Sequence, residues 1–94
     1  MYIHMHYTGF DIRWEAAKSE ELKREHGVSF EEILTARLLV VIEHPSRVNQ
    51  DILLFEREGY VWAVPCVERE RELFLKTLFP SRKYTRMWKR GELS

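Results

Sequence analysis

Between Leu38 and Phe79 the chain alternates apolar runs with breaks of only a few residues, a pattern that commits most of this stretch to a sheet. The first run, LLVVI at 38–42, is rich in β-branched residues. It stops at Glu43-His44-Pro45, because the residue before a proline is pushed out of helical geometry. Ile52–Phe55 and Tyr60–Val67 flank the polar stretch Glu56–Gly59, whose Glu58-Gly59 pair suits a tight hairpin turn. Another hairpin loop fits Glu68–Glu72, and the last run, Leu73–Phe79, ends at Pro80. Strands joined by loops this short pair antiparallel. Pro65 lies inside the third run and cannot donate to a ladder, which predicts a bulge or a sheet edge there.

Such a sheet needs a cover. Glu15–His26 has few strand formers and runs up to Gly27, a good residue for the left-handed position that closes a helix. Ser29 and Glu32 form the capping-box spacing, with Val28 placed to staple against Ile33, so a second short helix is expected from Phe30 to about Ala36. Ser81 stands where it can cap a terminal helix running through about Trp88. Tyr2–Tyr7 is a candidate for one more strand. The expected fold class is α+β: two N-terminal helices packed on one face of an antiparallel sheet of three to five strands, with a short C-terminal helix.

A chain of 94 residues with 45% hydrophobic content is expected to form a single domain, 1–94, above the size at which disulfides or metals become necessary. The lone cysteine, Cys66, sits in an apolar run and reads as a packing residue in a reducing compartment. The opening MYIHMHYTGF lacks the apolar core of a signal peptide. No run approaches the roughly 20 apolar residues that cross a bilayer. A cytoplasmic protein without a membrane partner is therefore expected.

The formal net charge of zero hides a polarised molecule. From Leu73 to Gly91 there is no acidic residue, while Lys76, Arg82, Lys83, Arg86, Lys89 and Arg90 alternate with Phe79, Tyr84 and Trp88. Cations and flat rings in one segment suit phosphates and bases; the plainer alternative is a solvated helix with an apolar anchoring stripe. Tyr84, Met87 and Trp88 follow i, i+3, i+4 spacing and should face the core, leaving Arg82, Arg86, Lys89 and Arg90 outward. Arg82, with Lys83 and Lys76, is a candidate to surround one phosphate, the guanidinium as a bidentate clamp and the lysines as point charges. Its plainer role is an ion pair with a local carboxylate.

For proton transfer the candidates are His26 and His44, since histidine titrates near working pH. At the end of the first helix the dipole alone would account for His26. His44 has Glu43 beside it to orient the ring, or is simply a turn residue before proline. Lys18 and Arg24 lie six residues apart, about 600° of helical rotation, and cannot form one clamp. His4 and His6 share one side of a strand but have no cysteine or carboxylate at ligand spacing, so no metal and no cofactor are expected.

The string Trp14-Glu15-Ala16-Ala17-Lys18, seven residues, then His26-Gly27-Val28-Ser29-Phe30-Glu31-Glu32 resembles the opening of the BrnT-like toxins, W-D-P-A-K, seven residues, H-G-V-S-F-E-E. Ser81-Arg82-Lys83 with Thr85 resembles the S-A-R-K-A-T segment that closes the sheet in that family. Ala16 stands where proline is usual and Leu22 where asparagine is common; the middle, Arg37 to Glu72, with His44-Pro45 and Tyr60-Val61-Trp62, is less similar. The resemblance implies a RelE-like fold and the toxin of a type II toxin–antitoxin pair, a metal-independent ribonuclease that inhibits translation. Its partners would be RNA and a cognate antitoxin, of ribbon–helix–helix type, covering the basic face with acidic and apolar residues. Together with the readings above, the expected catalytic residues are Arg82, Lys83 and His44, and the expected RNA contacts Lys76, Arg86, Lys18 and His26. RelE-like ribonucleases can also act with lysines and arginines alone. The same fold also serves non-catalytic nucleic-acid- or protein-binding modules and topoisomerase poisons.

Overall fold

Glu58 and Gly59 both take positive φ, 55° and 79°, the backbone a two-residue hairpin turn demands. The Glu56 carboxylate secures the turn by accepting the Gly59 N–H at 3.0 Å. This hairpin is the centre of the sheet in the computed structural model, which describes residues 1–7 and 9–93; the side chains of 4–7, and so the His4–His6 pair, lie outside the described ones. The elements are β1 (Tyr2–Tyr7), β2 (Phe10–Glu15), α1 (Ala16–His26), α2 (Phe30–Ile33), β3 (Arg37–Glu43), β4 (Gln50–Arg57), β5 (Tyr60–Arg69), β6 (Glu72–Leu75), β7 (Phe79–Pro80) and α3 (Arg82–Lys89). The strand order is β1-β2-β6-β5-β4-β3, and β7 pairs with β5 beyond the end of β6.

The molecule is α+β, as expected, but its sheet has seven described strands rather than three to five and is mixed rather than antiparallel. β2 is the added element. It runs parallel to β6, Asp11 opposite Glu72, which the long excursion between the two permits. The last apolar run also divides, because β6 stops at Leu75 and pairing with β5 resumes only at Phe79.

That gap accounts for Pro65, which sits in a central strand opposite Ile52 with no bulge at its own position. Its carbonyl accepts the Lys76 N–H at 2.9 Å, so its imino nitrogen points to the same side, where the neighbouring strand is broken. The irregularity in register lies instead in β3, between Leu38 and Val40.

Strand alternation gives the sheet two apolar faces, and α3 lies on the one opposite α1 and α2. Leu53, Phe55, Trp62, Val64, Cys66, Leu73 and Leu75 join Ile12 and Trp14 under Leu22 of α1 and Phe30 and Ile33 of α2. Ile52, Leu54, Val61 and Ala63 form a second cluster on the opposite face, covered by Tyr84 and Trp88 of α3. Cys66 is fully buried, and that burial, with Asp51 nearby, pushes its thiol up to about 12, so it serves packing rather than reaction.

The two N-terminal helices are joined by the residues that carry the resemblance. Gly27 closes α1 at φ 77°, its N–H returning to the Lys23 carbonyl. Ser29 and Glu32 make both halves of the capping box. The Glu31 carboxylate accepts from the Ser19 hydroxyl and from the Trp14 indole N–H at 3.4 Å, while Ser19 Oγ accepts the Phe30 N–H at 3.0 Å. α2 stops three residues short of Ala36, where i→i+3 bonds from Thr35 and Ala36 turn the chain into β3.

One consequence is an acid-sensitive joint. The Lys23 ammonium, 2.8 Å away, together with the Ser29 backbone N–H, holds the Glu32 carboxyl at about 2, well below its ordinary value of 4.5. A carboxylate depressed in the folded state stabilises fully above its unfolded value and loses that contribution as pH falls through the folded one. Thermal stability should therefore drop between pH 4.5 and 2, and Glu32→Gln should flatten that decline. An acid limb identical in wild type and variant, followed by circular dichroism, would rule out this joint as its source.

Candidate nucleic-acid interface

α3 is set on the sheet by two side-chain oxygens. Ser81 Oγ accepts the Tyr84 N–H at 3.1 Å and caps the helix as expected, while the buried Thr85 hydroxyl accepts the Val61 N–H of β5 at 2.8 Å. The second bond fixes where the helix starts relative to the strands. Thr85→Val removes this acceptor and should cost about 1–3 kcal/mol, whereas Thr85→Ser keeps the bond and most of the stability. Equal melting temperatures for the two variants would contradict this role.

With Tyr84, Thr85 and Trp88 turned inward, the cations have one place to go. At 100° per residue Arg82, Lys83, Arg86, Lys89 and Arg90 fall within an arc of about 120°, and all five are exposed. Among the described residues none of them, nor Lys76, is held in an ion pair. Lys83 lies 5.4 Å above the Tyr84 ring. The positive end of the helix dipole adds to the attraction for an anion at Arg82 and Lys83.

The other expected site residues are placed as follows. Lys76 follows β6 beside Pro65, and Ser81 donates to Val61, so the two lie about 13 Å apart along β5 at ~3.3 Å per residue. Lys76 is therefore next to the Arg82–Lys83 pair rather than around the same phosphate. His26 closes α1 with its ring edge-on to Trp62, centroids 6.4 Å apart, and Trp62 pairs with Pro80 immediately before α3. It thus lies at the end of the sheet from which Arg82 emerges but on the α1–α2 face, with the sheet between it and α3, and 3.9 Å from Glu25.

His44 does not lie at that end. Val61 pairs with Glu56 and Glu56 with Arg37, so the Arg82 end of the sheet is the start of β3, whereas His44 follows its end, about 20 Å along the strand. There its Nδ1 accepts the Ser46 N–H at 3.2 Å, a turn contact. Lys18 lies two turns before His26 and 3.5 Å from Glu21.

Two features escaped the sequence reading. Thr85 is polar and buried, and only its partner on β5 explains it. Asp51 and Glu68 face one another beside a cleft of about 110 Å³ lined by Phe10, Leu38, Val41 and Leu53, and the hydrogen bond with Asp51 raises the Glu68 carboxyl. This pair opens on the α1–α2 face, the opposite side of the sheet from α3. Among the described residues no group of three His, Cys, Asp or Glu is placed to hold a metal, and no helix is long and apolar enough to cross a membrane.

No protein-family model matches the chain, and no curated protein matches it as a relative. Among solved structures, the crystal structure of the Brucella abortus ribonuclease toxin BrnT is similar to this one, with a TM-score of 0.48 and 19% identity over 72% of this chain and 91% of that one.

Proposed function

We propose that this chain is a divergent BrnT-like toxin: a metal-independent endoribonuclease that inhibits translation and is silenced by a cognate antitoxin. The observation that carries the reading is the unpaired basic face at the start of α3, on a helix whose other side is locked to the sheet. Internal ion pairs would have meant a structural role for these cations. Supporting it are the W-E-A-A-K and H-G-V-S-F-E-E strings and the Ser81-Arg82-Lys83 segment.

Cleavage without a metal has three requirements: a ribose 2′-hydroxyl must lose its proton, the phosphorus must carry extra negative charge, and the departing 5′-oxygen must gain a proton. Arg82 meets the second by bidentate contact with two phosphate oxygens, and Lys83 adds a point charge. His26 stands behind the sheet from these cations and His44 at its far end, so the proton transfers fall to lysine and arginine side chains of the α3 face such as Lys83, as RelE-like ribonucleases allow. The 2′-oxygen bonds to phosphorus as the bond to the 5′-oxygen breaks, leaving a 2′,3′-cyclic phosphate and a 5′-hydroxyl. Arg86 and Lys76 hold the flanking phosphates. An antitoxin of ribbon–helix–helix or other type would meet this face with acidic and apolar residues.

Induced expression in bacteria tests the whole assignment. Wild type should arrest growth and halt protein synthesis, and a chain carrying Lys83→Ala should do so more weakly at equal protein level. Unimpeded growth with soluble, folded wild-type protein present would overturn the toxin reading.

A further inference from the structure

Beside α3, no helix among the described residues covers the same face of the sheet, and its side chains are not those of an idle surface. Alternation places Arg13 and Phe74, paired across β2 and β6, on the face opposite Ile12 and Leu73, the face that α3 occupies farther along. Tyr2 of β1 leans over Arg13, which lies 5.8 Å from its ring, and reaches Phe74 with centroids 5.7 Å apart. The Lys76 ammonium lies 5.6 Å from the Phe74 ring. Phe79 pairs with Ala63 and so points to this side, and it leads into Ser81 and Arg82. Tyr2 is 55% and Phe79 40% exposed, unusual for large rings on a chain whose other described aromatic residues are buried or half-buried.

From Arg82 outward the surface therefore reads cation, ring, cation, ring: Arg82, Phe79, Lys76, Phe74, with Tyr2 as a further ring beyond and Arg13 between the last two held in an ion pair with Glu72. Glu72, paired with Arg13 at 3.4 Å, and Glu15, opposite Tyr2, end the positive character at Lys76, beyond which the rings alone continue. Packing needs do not explain this order, because exposed rings gain little by burial against one another when half their surface stays in water. Base stacking does, since every base has a face to lay on a ring and every linkage a charge to be met.

We infer that these residues form a track for single-stranded RNA, along which a strand gripped at Arg82 continues over Phe79, Phe74 and Tyr2 with Lys76 on a phosphate between them. The inference rests on the proposed ribonuclease reading for the identity of the strand, and it deepens that reading by adding a sequence-tolerant binding surface on one side of the scissile linkage. Lys76, about 13 Å from Ser81, thereby acquires its role as the next phosphate contact rather than a member of the catalytic cluster. Single-stranded RNA fits and duplex does not, because paired bases present no free face to the rings.

The test uses 2′-O-methyl oligoadenylates of three and ten nucleotides, which cannot be cleaved through the blocked 2′-position, with affinity read by fluorescence anisotropy at fixed salt. The longer oligomer should bind at least tenfold more tightly than the shorter. Tyr2→Ala and Phe74→Leu should each remove about tenfold of the longer oligomer's affinity, in the range measured for base–ring stacking, and leave the shorter unchanged. Phe74→Leu keeps an apolar side chain in its half-buried place, so loss of fold is separated from loss of stacking by an unchanged melting temperature. Lys76→Ala should lower the salt slope for the longer oligomer by about 0.7. The track is overturned if both ring variants bind the longer oligomer like wild type, or if length brings no gain. Failure of the ribonuclease reading shows separately, as unmodified RNA that stays intact with wild-type protein whatever the oligomer affinities.

Discussion

Arg82→Ala should lower RNA cleavage by about a hundred- to a thousandfold, the loss typical of removing one donor from the charge that develops in a transition state. The fold should survive, because Arg82 is exposed, takes part in no ion pair among the described residues, and follows rather than supplies the Ser81 cap. Binding should weaken much less than turnover, since Lys83, Arg86 and Lys76 still hold the flanking phosphates. Arg82→Lys restores the charge but not the two-pronged geometry, so only partial recovery is expected. An Arg82→Ala protein that binds RNA tenfold more weakly yet cleaves bound RNA at the wild-type rate would make this residue a docking contact only.

Phe30→Ala should be the most destabilising single change. The ring is fully buried, 6.3 Å from Trp14, in the cluster that holds α1 and α2 on the sheet, and the same residue donates its N–H to Ser19. Truncating a buried phenylalanine costs about 3–5 kcal/mol, a large part of the roughly 5–15 kcal/mol that domains possess. At about 4–8 °C per kcal/mol for a chain of this size, the melting temperature should fall by at least about 12 °C. Phe30→Leu, which refills most of the space, should lose far less. A fall of only a few degrees for Phe30→Ala would mean that the cavity collapses and that α2 is held by its capping box instead.

The parts of the fold that could be read in advance are those whose cause is local. Gly27 and the Ser29–Glu32 box act within one turn of their helices, and Glu58-Gly59 acts within its hairpin. β2 has a signal, the strict alternation of Phe10, Ile12 and Trp14, but its last residues double as the approach to α1, where the helical pattern masks it. Its pairing with β6 had none, because a parallel register between Asp11 and Glu72 leaves no trace at either position. The placement of α3 on the far face follows from the parity of Val61 and Ala63 against Trp62 and Val64, which a row of uniformly apolar residues conceals.

For the candidate site the same division holds. The outward basic face of α3 was legible from helical spacing alone, whereas the distance of His44 and the facing of His26 depended on strand register and parity. Thr85 was invisible for a similar reason, its partner N–H lying 24 residues away on another element. The strings that suggested the family, moreover, are largely structural here: Trp14, Ser29, Phe30, Glu31 and Glu32 join the helices to the sheet, and His26 packs on Trp62 behind the sheet from α3.

The central claim is that the cations opening α3 break a phosphodiester without a metal. Purified protein incubated with end-labelled single-stranded RNA in excess EDTA addresses it directly. The account predicts fragments ending in 2′,3′-cyclic phosphate, formed at the same rate with and without the chelator. RNA that is retained by the protein but stays whole through a long incubation would contradict it and leave a binding module in its place.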